Sequence, residues 1–180
     1  MAKKVAAQSK RAPTPDPYGA APVSELEKEI REAWRANCRI NHAIIDKVCT
    51  EGWTATLSTR GGRGVAGEFA HIHNIRLAQL QGRAKDLGQD LAKLDTTSEP
   101  SKTAVRSALK ASDKEIERFL VGALRREKGR RRFKRGIFTT LAYFISHESH
   151  HRGRVLLTLK VSGNTLDRNT QMGIWAWDNV

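Results

Sequence analysis

From Ser24 onward, Leu26, Ile30, Trp34, Ile44 and Val48 recur at helical spacing, with Asn37 and Asn41 on the same face. That pattern predicts a first helix with one core-facing stripe. Ser24 and Glu27 form a capping box at its start, and Gly52 ends it. WTATLSTRGGRG, small and polar, predicts a loop. A second helix begins at about Val65, follows Val65, Phe69, Ile72, Ile75 and Leu80, and fades near Gly88 before DTTSEPSK breaks the chain. A third runs from about Lys102 through Val105, Leu109, Ile116, Leu120 and Leu124, ending by Gly129. The fourth extends from about Phe138 to Val161 through Leu141, Phe144, Ile145, Val155, Leu156 and Leu159, and Ser162-Gly163 terminates it. No segment alternates as strongly as a strand would. The expected fold is therefore all-α, a four-helix bundle whose default is up-and-down, though its long loops permit a crossover. Trp175 and Trp177 are expected to pack across the bundle.

Composition adds a boundary at each end of this picture. Residues 1 to 22 contain four of the five prolines and few large apolar groups, which predicts a disordered, basic N-terminal tail ahead of one bundle domain, residues 23 to 180. No run reaches the roughly 18 to 20 apolar residues that span a bilayer, and the N-terminus lacks the apolar stretch of a secretory signal. A soluble, cytoplasmic protein with no membrane partner is expected. Cys38 and Cys49 read as buried small hydrophobes on one helix, too far apart to bridge.

Thirty-two Lys and Arg against 19 Asp and Glu give a net charge of +13. The excess lies partly in the tail and partly in RREKGRRRFKR, residues 125 to 135. That run reads first as a solvated loop. It also supplies the alternative function, a basic nucleic-acid-binding or stress-response protein in which any metal site is structural or vestigial and Phe133 stacks on a base, although no helix-turn-helix or RNA-binding signature accompanies the run.

The candidate chemistry is concentrated in HESHHRGR, residues 147 to 154, which contains H-E-x-x-H. On a helix His147 and His151 differ in direction by only about 40°, so both can serve one ion, and their stripe predicts that they point into the core. His150, adjacent to His151, is the weaker ligand. A protease of the zincin type needs a further ligand downstream, and no histidine follows His151. Glu148, about 100° from His147, is then only an optional base, and no catalytic residue is assigned. Upstream, EFAHIHNIR offers His71 and His73, about 200° apart and so unable to share one face; the face argument favours His71. His42, His73 and His150 read as surface or internally satisfied groups. Glu68, Asn37 and Asn41 are candidates for orienting imidazoles.

Taken together, GRGVAGEFAHIHNIRLAQL, HESHHRGRVLLTLKVSG and the terminal GIWAWD resemble the DinB-like (damage-inducible, YfiT-related) superfamily of metal-binding four-helix proteins, over most of residues 24 to 178. The resemblance implies that His71 is the first metal ligand and that His147 and His151 are the other two. Three imidazoles with an open position suit Zn, Ni, Fe or Cu. It further implies hydrolysis or group transfer on a small-molecule substrate, with a low-molecular-weight thiol as one partner; a homodimer is compatible with it. Where the family commonly continues HHRG with glutamine, this chain has Arg154, which leaves the ligands intact but alters the chemistry beside them.

Overall fold

The computed structural model describes residues 24 to 179, and the expected tail, residues 1 to 22, lies outside them. Six helices follow in order: α1 Glu25–Lys47, α2 Thr50–Trp53, α3 Val65–Arg83, α4 Lys102–Leu124, α5 Ile137–Val161 and α6 Arg168–Gly173. The four long ones are those the periodicity predicts, and no strand occurs among the described residues. None of these helices is long and apolar enough to cross a membrane.

The start of α1 shows how charge alters a predicted stripe. Ser24 Oγ accepts from the Glu27 amide at 3.2 Å, as a capping residue should. The Glu27 carboxylate instead lies fully buried, accepting from Arg31 at 2.9 Å and from Arg125 at 2.9 and 2.8 Å. Leu26, expected inside, is turned outward. At the other end α1 stops at Lys47, because Val48 takes extended backbone and Cys49 Sγ accepts from the Gly52 amide to cap the separate turn α2. Cys49 is consequently exposed, against expectation, while Cys38 is buried.

Two apolar clusters fill the bundle. One holds Ile40 and Ile44 of α1, Val65 and Phe69 of α3, Val105 and Leu109 of α4, and Val155 and Leu159 of α5. The other holds Ile30 and Trp34, Leu77 and Leu80, Ile116 and Phe119, and Leu141 and Phe144 of the same four helices. Chain order within the clusters gives the directions: α1 and α5 run one way, α3 and α4 the other. The topology is up-down-down-up rather than the default up-and-down, and α1 and α3 make little contact while α4 packs on both.

Parallel neighbours cannot be joined by a tight turn, so residues 84 to 101 must return along the bundle between α3 and α4. Side chains of α3, with Trp53 of α2, hold this strap. Asn74 donates Nδ2 to the Leu94 carbonyl at 2.7 Å and accepts the Leu94 amide at 2.9 Å, a side-chain imitation of a backbone pair. His73 Nε2 lies 3.0 Å from the Ala92 carbonyl, and Trp53 Nε1 donates to Pro100 at 2.8 Å at the far end. Gly67 is required where the strap crosses α3, since a Cβ there would collide with the Thr96 carbonyl.

The basic loop between α4 and α5 is folded back onto the bundle. Arg125 pairs with Glu27, Arg130 with Asp86, and Arg131 reaches the Gly82 carbonyl. Phe133 is half-buried against the bundle, its ring 3.7 Å from the Arg83 guanidinium and 4.9 Å from the Tyr143 ring. At the C-terminus Ile174 is buried and Trp177 is partly covered, at 39% exposed, but Trp175 is 75% exposed, so the expected packing of the tryptophans across the bundle fails for Trp175. Ile174, the residue that caps the short helix α6, faces inward, and Trp175 beside it faces outward.

Candidate metal centre

Between the two apolar clusters each long helix carries polar residues on its inward stripe, and at this level the three candidate histidines meet. His71 comes from α3; His147 and His151 come from successive turns of α5. One nitrogen from each lies within 4.8 Å of the others, a group that can hold a metal ion. His147 Nε2 and His151 Nε2 are 3.1 Å apart, close to the about 3.3 Å edge expected for two ligands of a tetrahedral ion. His71 stands slightly back, its ring centroid 4.6 Å from that of His151 and 5.6 Å from that of His147.

The histidines occupy the α3–α5 seam rather than the core centre that the stripe predicts. His151 is buried, while His71 and His147 are half-buried and open to solvent. His73 is the more deeply buried α3 histidine, but its 200° rotation takes it to the α4 side, where Nδ1 lies 3.2 Å from Ser112 Oγ. His42 meets Asp113 at 2.7 Å, and His150 is exposed.

Proton competition at the seam is weak. Burial, then the charge of Arg63 and the neighbouring imidazoles, push the His71 pKa down to about 4. Burial and His151 lower that of His147. Both rings are therefore neutral near pH 7 and present lone pairs, the form a metal requires.

Glu68 fixes the third ring. Its Oε2 lies 2.6 Å from His151 Nδ1, so that nitrogen carries the proton and Nε2 is left as the ligand atom. Its Oε1 accepts from Arg154 Nε at 2.8 Å. Burial alone would raise the Glu68 pKa, but the bond to His151 and the charges of Arg63 and Arg154 hold it lowered, so it stays an ionised acceptor. Tyr143 lies parallel to His147 at 6.0 Å, and its hydroxyl accepts from Gln79 Nε2 at 3.2 Å.

Glu148 is not at the mouth of this site. It is 1% exposed, with Oε2 accepting from Asn37 Nδ2 at 2.6 Å, Asn41 Nδ2 at 2.7 Å and Arg76 Nη2 at 3.0 Å, and Oε1 accepting from Arg76 Nε at 2.7 Å. Asn37 and Asn41 therefore orient Glu148, not the imidazoles, and of the three candidate orienting residues only Glu68 meets a histidine of the group. Arg76 continues to Asp113 at 2.6 Å and Ser112 at 3.0 Å. Arg152 donates to Asn37 Oδ1 at 2.8 Å, Asn41 Oδ1 at 2.9 Å and Ser149 Oγ at 2.7 Å. Arg76, Asp113 and Arg152 escaped the sequence reading, although each interrupts an apolar stripe at mid-helix, a signal that could have revealed them.

Comparison of the chain with protein-family models, curated proteins and solved structures finds no match. The chemistry must be argued from the seam itself.

Proposed function

We propose that the chain is a divalent-metal-dependent enzyme of the DinB-like class, acting on a small molecule by hydrolysis or by transfer to a low-molecular-weight thiol. The observation that supports this best is the meeting of three imidazoles at a solvent-accessible seam, with neutral His71 and His147 and a carboxylate fixing the third. Three nitrogen donors, with no fourth protein ligand grouped with them among the described residues, suit a reactive ion more than a purely structural one. An ion held there would supply Lewis acidity, favouring the deprotonated form of a bound water or thiol. The protein's own contribution is positional: Glu68 sets the His151 tautomer, Tyr143 backs His147, and Glu148 ties α5 to α1 and α3. Elemental analysis of protein purified without added metal, alongside His147→Ala, tests the reading. One ion per chain, lost in the variant, is expected; equal metal in both would sink it.

The alternative, weak nucleic-acid binding by residues 125 to 135, retains exposed Arg126, Lys128, Lys134 and Arg135 but has a half-buried Phe133 already engaged by Arg83 and Tyr143. Fluorescence anisotropy with single-stranded and duplex oligonucleotides over a salt series tests it.

A further inference from the structure

Two guanidinium groups flank the histidine group, an arrangement that works against a cation alone. Arg63 leaves the loop before α3 with its stem close over Gly67, where an added Cβ would approach Arg63 Cβ at 3.1 Å and Cγ at 3.3 Å. Its Nε stands 3.6 Å from Glu68 Oε2, beyond hydrogen-bond range, and this buried donor has no hydrogen-bond partner among the described residues. Arg154, on α5, gives its Nε to Glu68 Oε1 while its side chain is 51% exposed. Glu68 itself has one negative charge, and its Oε2 is already committed to His151.

The charges do not cancel. Arg154 alone would neutralise Glu68, and Arg63 is then in excess. The other carboxylate near His147, Glu148, is matched by Arg76 and Arg152. The seam thus carries surplus positive charge before an ion enters, and a divalent cation adds to it. Coulomb repulsion would weaken such a site unless an anion joins the ion, and a guanidinium's planar fork of donors fits an oxyanion.

We propose that Arg63 and Arg154 form an oxyanion subsite at the rim of the histidine group, and that the substrate is a small molecule bearing a carboxylate or phosphate beside its reacting atom. This rests on the metal-centre reading above and names the substrate class for it. Arg63 supplies the charge in excess of what Glu68 neutralises and a donor free of hydrogen bonds among the described residues; Arg154 serves both the subsite and Glu68.

The test uses the full chain loaded with cobalt(II), whose visible absorption reports ligands at the metal. Acetate and inorganic phosphate are titrated separately at constant ionic strength, with imidazole as a neutral ligand, into wild type and Arg63→Gln. We expect equal cobalt content, oxyanion affinity weakened by about tenfold in the variant, and imidazole affinity unchanged. The oxyanion that binds more tightly identifies the group the substrate carries. Unchanged oxyanion affinity in a cobalt-loaded variant would overturn the subsite, as would a parallel loss for oxyanion and imidazole, which signifies damage to the metal centre. Failure of the wild type to take up cobalt would instead overturn the metal reading, and this one with it. Arg154→Lys, which keeps the charge near Glu68, should retain more oxyanion affinity than Arg154→Gln; equal losses would count against Arg154 as part of the subsite.

Discussion

Glu148→Gln separates a reactive glutamate from a structural one. A catalytic base at the surface could be replaced by its amide with little effect on stability. The observed carboxylate receives four donor contacts, three on Oε2 and one on Oε1. The amide would turn its NH₂ toward the Oε1 side, where it opposes Arg76 Nε, because the other orientation would set it against three donors. Arg76 then keeps Asp113 but loses one charged acceptor in a site where it is 1% exposed. Breaking a buried ion pair from one side costs about 3–5 kcal/mol, which in a chain of this size lowers Tm by roughly 6–20 °C. Urea denaturation followed by circular dichroism, with midpoint and slope fitted separately, measures the change. A loss below about 1 kcal/mol would refute the account, since a group this enclosed cannot surrender its charge so cheaply.

Other outcomes follow from the same geometry. Glu68→Gln should keep the fold and weaken metal binding by about 10- to 100-fold, measured by competition with a chromogenic chelator, because the His151 tautomer is no longer fixed. Burial acts to raise the Asp113 pKa, but the charge of Arg76 and the bond from His42 hold it lowered. The stability this contributes is complete above the unfolded carboxyl value of about 4 and is lost as pH falls through the depressed native value. The urea midpoint should therefore drop on acidification across that window, less steeply in Asp113→Asn. Asn74→Ala should release the strap, raising amide exchange at Leu94 with only a small change in global stability; unchanged exchange would show that other contacts hold it.

The sequence made the four long helices legible because their apolar spacing is regular over many turns. The same stripes misled where a polar or charged group occupied an apolar position. Asn37 and Asn41 on α1, Arg76 on α3, Asp113 on α4, and Glu148 and Arg152 on α5 all lie on inward faces, and each makes sense only with the others present. Periodicity within one helix shows the interruption but not the partner that compensates it. For this reason His147 and His151 were expected at the centre, whereas Glu148 and Arg152 occupy it and turn the histidines to the seam. The grouping of His71 with that pair was anticipated from the resemblance to the DinB-like superfamily. The role of Arg154 was not, because its bond to Glu68 joins residues 86 positions apart. Helix directions were equally hidden, since they depend on which helix the strap of residues 84 to 101 returns along.

The polar layer also bears on how the chain reaches its native state. Glu148 meets donors from α1 and α3, and Arg76 meets acceptors from α4 and α5, so no two helices can satisfy these groups alone. A docked pair would strand an ionised side chain away from water, at a cost that its apolar contacts must overcome. Partial assemblies and pairings displaced by one helical turn, about 5.4 Å, are disfavoured together. Folding should thus be concerted across all four long helices, and the histidine seam, with ligands on both α3 and α5, would come into being only at the end of it.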